Sequence, residues 1–559
     1  MWPFSSRFEV LVEAKRKQRE ADISAAPKFN ISEHGVFLKA TASEIVAHIE
    51  RGEWTASQVV AAYISRAALA HEMTNCITEV LFSEAQKQAQ ELDAEFASTK
   101  QLRGPLHGVP LNVLVDIAGV DSSIGFSGLL QKPATTDADA SAGAIPIAKS
   151  NVPQTMLTFE CCNPVFGRTV NPYNGNFTSG GSSGGEAALL AMDGSALGVG
   201  SDIGGSLRYP AVFCGIYSFK PSPLRVSYIG TSSPVKGFDG IIGVAGPMGR
   251  SIDDLEMFCQ LTLGVQARSF GLAPIPFREP NMPEKLRFGY YTDFYIKASP
   301  AVKRAVLETV AALRNQGHEC IEIEIPTPME AFDIFVALTS GDGYQSLLSG
   351  VGSDPLDSSL LAIANGPNYP RFVRKFVAWA LGFFFKDTQL SNAVYGSGTK
   401  PVREFWEWTA RRDKYNMQFY DEVWNKHRLD GIIAPVLALP QVPTGSFRTL
   451  FSLAASGTLY NVVNSPTGCV PVTRVDASKD KLTDEWTETS TCSLVQKALY
   501  QGRKPIYDPI AMQGMPVGIQ VVGRKWEDEK VLAMMRVVDD ALGKNRGFGP
   551  GSWDAQQSS

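Results

Sequence analysis

The chain has 559 residues, 44% of them hydrophobic and 19% charged, with a formal net charge of −5. That length can bury a large core, the composition is that of a globular enzyme, and the slightly acidic balance gives no general affinity for nucleic acid. No stretch reaches the ~18 apolar residues of a membrane span, and the eight scattered cysteines form no C-x-x-C pair, so no metal or cofactor is expected and buried free thiols in the cytoplasm are.

In chain order, Met1-Trp2-Pro3-Phe4 opens on an aromatic cluster, but Arg7 and Glu9 follow at once, which is unlike a secretory leader. Glu9–Asp22 reads as a charged amphipathic helix, and residues 1–35 as a helical arm. Thr41–Leu69 has helical periodicity, with Ser43 and Ser57 as candidate N-caps. The turn Gly104-Pro105-Leu106-His107-Gly108-Val109-Pro110 leads into an apolar run, Leu111–Val115, that predicts a buried strand. Gly143–Ala148 predicts another, and Glu186–Leu190 a helix start behind a run of glycines. After a proline-rich link at Pro274–Pro283 come a strand at Lys285–Tyr291, a helix at Ser299–Asn315 and a strand at Cys320–Ile325. Short apolar strands alternating with helices argue for an α/β fold. Arg371–Asp387 stands apart: Phe376–Phe385 is apolar and bracketed by Arg371, Arg374, Lys375 and Lys386. It is too short to span a bilayer. A buried helix or a homodimer contact is the default reading, and a helix lying on a membrane surface is the other. Gly547–Ser559 reads as a frayed tail.

The chemistry concentrates between Gly180 and Pro221. Ser182 and Ser206 each lie in a glycine-rich turn, and glycine lets successive amide N–H groups converge on one point. Asp202-Ile203-Gly204-Gly205-Ser206 is such a turn with a hydroxyl at its end, which suits a serine nucleophile beside an oxyanion hole. A flexible linker is excluded by the apolar Ala187–Leu190 and Leu197–Val199. A phosphate cradle is excluded by the lack of G-K-[ST]. Gly181–Gly185 also fits a G-x-S-x-G elbow, which would make Ser183 the nucleophile with His318 or His427 as base. Neither histidine carries a local signature, and His107 in its Pro-Leu-His-Gly turn reads as structural.

This run resembles the amidase signature family, with its closest likeness to fatty acid amide hydrolases and fungal acetamidases. Ala148–Asn163, Tyr460–Val472 and Gly514–Gln520 resemble the same family, so the likeness runs from about Leu106 to Leu542. The resemblance implies a mixed twisted sheet sandwiched between helices as one domain. With the flanking segments, the expected organisation is an arm at 1–35, the amidase domain at 36–545 and a tail at 546–559. It implies Ser206 as nucleophile, Ser182 as a bridging serine on a cis peptide, and the amides of Ile203, Gly204, Gly205 and Ser206 as the oxyanion hole. It puts Met156 beside the substrate and gives Asp202, Arg208 and Lys220 structural roles. Lys149 belongs to a separate lysine motif of the family.

One part is missing. The family's catalytic lysine follows the Gly-Val-Pro turn, and the matching position here is Leu114. No lysine occurs between Lys100 and Lys132. The loop to Gly119 and the Asp137–Gly143 segment also look shortened. In the family the lysine draws the proton through the bridging serine, and such base catalysis contributes about 10²–10⁴-fold. The expectation is therefore a serine hydrolase or acyl-transfer scaffold for an amide or ester, through acyl-Ser206, with weak or altered activity. The alternative is a non-catalytic relative that binds a small molecule or a partner subunit.

Overall fold

The computed structural model describes residues 7–114, 142–227, 235, 237–265, 272–352, 354–488 and 493–557. The predicted shortenings around Gly119 and at Asp137–Gly143 fall largely outside these residues, as does Cys492.

The described strands build an α/β fold on one mixed sheet. In chain order they are β1 (Ile77–Val80), β2 (Pro110–Leu114), β3 (Ile145–Ser150), β4 (Cys162–Asn163), β5 (Gly167–Arg168), β6 (Leu197–Asp202) and β7 (Tyr217–Lys220). Then come β8 (Val244–Gly249), β9 (Arg287–Tyr290), β10 (Glu319–Glu322), β11 (Gly431–Pro435), β12 (Thr467–Arg474) and β13 (Pro516–Val522). β4 and β5 form a separate ribbon, and the other eleven run β1-β3-β2-β6-β8-β7-β12-β13-β11-β9-β10. β2 is parallel to both β3 and β6, whereas β6 is antiparallel to β8. The central strands β6, β7, β8, β11 and β13 are almost wholly buried. That is why they read as continuous apolar runs rather than alternating ones.

Helix Gly184–Ala191 packs on β2, β3, β6 and β8, and helix Pro300–Asn315 on β11, β12 and β13. The latter starts at Ser299 with Pro300 in the first turn, a position where proline's missing N–H has no helical partner to lose. Both early N-caps move from the predicted serines to threonines. Thr41 and Thr55, not Ser43 and Ser57, close capping boxes with Glu44 and Gln58. The reciprocal side-chain bonds need a Glu or Gln three residues on, and only the threonines have it.

Two further expectations are corrected. The frayed tail contains helix Ser552–Gln557, with Trp553 buried and Asp554 paired to buried Arg66. The apolar ring of Trp553 and the otherwise unpaired Arg66 both gain from that docking. Helix Arg371–Phe384 is not a buried helix. Phe372, Phe376, Trp379, Phe383 and Phe384 are 51–74% exposed, and only Arg374 and Ala378 are buried. No helix among the described residues is long and apolar enough to cross a membrane.

Candidate active site

Ser206 follows the last pair of the β6–β8 ladder, Asp202↔Val244, and precedes helix Arg208–Cys214. The turn between is held by its own ends. Asp202 Oδ1 accepts from the Gly205 amide (2.8 Å) and Oδ2 from the Leu207 amide (3.1 Å). Arg208 grips the same carboxylate with Nε and Nη2 at 3.0 and 3.1 Å. Its remaining donors reach Gly457 O (2.9 Å), Gln520 Oε1 (3.2 Å) and Asn461 Oδ1 (2.6 Å). Burial alone would raise the Asp202 pKa, but Arg208 beside it and the Asn461 amide hold it below the usual carboxylate value. Both residues are therefore charged and structural, as the resemblance implies.

Gly205 has φ +117°, and a Cβ there would lie 2.1 Å from the Tyr209 ring, so only glycine fits. The Tyr209 hydroxyl donates to the Gly204 carbonyl at 2.6 Å. The Gly204–Gly205 peptide is thus pinned at both its C=O and its N–H. Of the four amides expected to form the oxyanion hole, that of Gly205 is engaged by Asp202. Ile203, Gly204 and Ser206 are the amides with no acceptor among the described residues.

Ser182 is buried, and its peptide bond to Gly181 is cis. The two serine turns meet through the Ser183 amide, which donates to the Ser206 carbonyl at 3.3 Å. Ser206, 8% exposed, opens with Gly181, Ile203, Gly204 and Met156 into a cavity of about 360 Å³. Phe159, Phe332, Phe335, Phe447 and Phe451 form much of its apolar wall. Arg374 is the one charged residue among the lining residues. Glu160 positions the Phe447 loop by accepting from the amides of Gly445 (2.7 Å) and Phe447 (2.6 Å). Its charge is matched by Arg168 at 2.7 Å. The cavity walls come from helices and loops far apart in the chain, so no local pattern announces them.

The base side differs. Leu114 ends β2, opposite Ser150 of β3. The contacts expected of its side chain fall outside the described residues. Two residues earlier, buried Asn112 donates to Glu186 Oε2 at 2.9 Å. Ser150 Oγ donates to that oxygen at 2.9 Å. Glu186 Oε1 and Asn112 Oδ1 are buried without partners. Burial, with no cation alongside among the described residues, pushes the Glu186 carboxyl up to about 8, against which the two hydrogen bonds pull.

The lysines near the motif are engaged or remote from the cavity. Lys149 pairs with Glu79 at 2.7 Å. Lys220 is buried beside the Pro221 carbonyl at 3.4 Å, and burial, then Arg208, pushes it down to about 7. The histidines do not assemble a site around Ser183. Ser183 Oγ accepts from the Ser201 amide at 3.4 Å, His318 Nδ1 from the Leu286 amide at 3.1 Å, and His107 Nδ1 from the Arg103 amide at 2.9 Å. Among the described residues no three or more His, Cys, Asp or Glu converge to hold a metal.

A mixed sheet presenting two serine turns to one cavity is the scaffold of a serine-type hydrolase. Residues 58–532 match the Amidase family model, and the chain belongs to the amidase signature family. It is 31% identical to an acetamidase of Emericella nidulans over 90% of this chain and 89% of that one. It is 30% identical to fatty acid amide hydrolase 1 of Caenorhabditis elegans over 96% and 95%. A solved fatty acid amide hydrolase superposes with a TM-score of 0.78 at 28% identity, over 98% of this chain and 92% of that one.

Proposed function

We propose that this protein is a serine acyl-transfer enzyme for small molecules with an apolar acyl group, and that its amide hydrolysis is weak. The observation that carries the reading is the opening of Ser206 and its unengaged neighbouring amides into one apolar cavity. In the proposed reaction Ser206 Oγ adds to the substrate carbonyl. The amides of Ile203, Gly204 and Ser206 take the developing negative charge, and the leaving group departs from acyl-Ser206. Water or another acceptor then takes the acyl group. Ser182 stands where the family's bridging serine passes the proton. Leu114, in the lysine position, neither accepts that proton nor returns it to a leaving amine. Activated esters leave as stable oxyanions and so escape the second half of this handicap, with the Ser206 proton passing to water or to the departing oxyanion. The amide-hydrolysing names of the relatives above support the reaction class.

The same reading extends to location. Phe372, Phe376, Trp379 and Phe383 form one stripe on helix Arg371–Phe384, with Trp379 stacked 5.3 Å from Phe383. Val377 is 42% exposed and also lines the cavity, so the cavity reaches the surface beneath that stripe. An aromatic face flanked by arginine and lysine suits a membrane surface. A homodimer contact would cover the same face.

The test is labelling with a serine-reactive fluorophosphonate, followed by peptide mapping. Label on Ser206, absent from Ser206→Ala, is the expected result. A folded protein that takes no label at Ser206 refutes the reading and leaves the non-catalytic binder.

A further inference from the structure

Arg374 is the feature of the cavity that hydrolysis of a purely apolar amide leaves without a use. It is 9% exposed and lines a cavity whose other lining residues are uncharged. Its only hydrogen bond among the described residues is from Nε to the Tyr369 carbonyl, at 3.2 Å. No carboxylate lies within ion-pair distance among the described residues. The nearest acid, Glu404, is paired with Arg371 at 3.6 Å. Lys400 adds a further cation, with its Nζ on the Gly398 carbonyl at 2.8 Å. Around this side of the cavity, Arg371, Arg374 and Lys400 share one carboxylate. Gly398, at φ +94°, makes room for the arrangement, since a Cβ there would lie 2.6 Å from Arg374 Cζ and Nη1. The residue is enclosed, but its Nη groups are not sealed from solvent, so they are open to an anion entering the cavity. Burial and the neighbouring Arg371 lower its pKa, yet arginine stays charged at neutral pH.

We propose that Arg374 binds a carboxylate carried by the substrate at the end of its apolar chain away from the reacting carbonyl. The inference rests on the acyl-cavity reading above and adds the substrate class, an apolar acyl group ending in an anion. The guanidinium offers two free Nη groups, which match a carboxylate in a bidentate fork. A charge-assisted hydrogen bond contributes more than a neutral one, and its loss is expected to reduce affinity about tenfold or more.

The experiment measures equilibrium binding of two ligands to the full chain carrying Ser206→Ala, which prevents turnover. The ligands are decanamide and the monoamide of decanedioic acid, which differs by a terminal carboxylate. The parent should bind the carboxylate ligand at least tenfold more tightly than decanamide. Arg374→Gln should bring the ratio of the two affinities to about one, whatever it does to decanamide binding itself, while Arg374→Lys should keep part of the preference. Equal binding of the two ligands to the parent overturns the Arg374 assignment alone. If neither ligand binds, the acyl-cavity reading falls as well. A parallel measurement uses vesicles of anionic and of zwitterionic lipid. If Arg374→Gln weakens anionic-vesicle binding but leaves ligand preference intact, the arginine reads a lipid headgroup and the proposal is wrong.

Discussion

Two buried carboxylates flank β6, and they are treated in opposite ways. Asp202, at its end, is held by Arg208 and Asn461 and kept below the usual carboxylate pKa. Glu186, in the helix packed against its start, has among the described residues only the neutral donors Asn112 and Ser150 and is pushed up to about 8. Burial is equal, so the presence of a cation decides which acid is ionised. The first arrangement shapes the nucleophile turn. The second lies beside the strand where the family keeps its lysine. Among the described residues the Ser206 turn is thus complete in its charge pairing, and the cluster beside β2 is neutral and partly unsatisfied.

Breaking the ionised pair should have the largest effect. Arg208→Met leaves Asp202 buried and uncompensated, at a cost of about 3–5 kcal/mol in chemical denaturation. Ser206 labelling should vanish with it, since the turn loses its clamp. A loss under 1 kcal/mol would show that the Asn461 amide suffices. Next comes Leu114→Lys. The described cluster on that strand leaves only Glu186 Oε1 and Asn112 Oδ1 as acceptors, and the Glu186 carboxyl is held protonated by burial, so a new ammonium gains at most a partial partner. We expect a loss of about 2 kcal/mol in thermal or denaturant melting and no recovery of strong amide hydrolysis. Strong turnover that Ser206→Ala abolishes would mean that only the lysine had been lost.

Glu186→Gln sharpens the comparison through pH. The Glu186 pKa is raised in the folded chain, so the native state holds a proton that the unfolded state releases near pH 4.5. The burial penalty is absent below that pH and grows as pH rises toward about 8. The parent should lose roughly 1.4 kcal/mol per pH unit across that window relative to Glu186→Gln. The two should be nearly equal at acid pH, with the variant more stable above pH 8. Parallel stability curves in denaturant titrations would contradict this. The smallest effect on stability belongs to Trp379→Ser, an exposed position expected within about 0.5 kcal/mol of the parent. Its effect should appear instead in weaker sedimentation with lipid vesicles. A fall in dimer content without a change in vesicle binding would assign the stripe to a second copy.

Much of this was legible in the sequence because it is local. The glycine turns around Ser182 and Ser206, the apolar run of β2 and the amphipathic Pro300–Asn315 each carry their own signal. The family resemblance supplied the sheet that no single segment specifies. What escaped depends on partners distant in the chain. The engagement of the Gly205 amide follows from how Asp202 is turned by Arg208 and Asn461. The cavity wall draws on Phe159, Phe332, Phe447 and Arg374, from segments with no shared pattern. Trp553 looked like part of a tail, but it packs on Tyr173 while its neighbour Asp554 pairs with Arg66. The exposure of the Phe376–Phe385 run was hidden for the opposite reason, since an apolar run reads as core unless something else covers it.

The most direct test of the account compares one acyl group on two leaving groups, as a p-nitrophenyl ester and as a primary amide, in the same preparation. A prepared nucleophile without its base predicts that the ester acylates Ser206 and turns over. It predicts that the amide turns over far below the ~10 s⁻¹ typical of enzymes. Amide turnover near that rate, abolished by Ser206→Ala, would contradict the account and require another residue to move the proton.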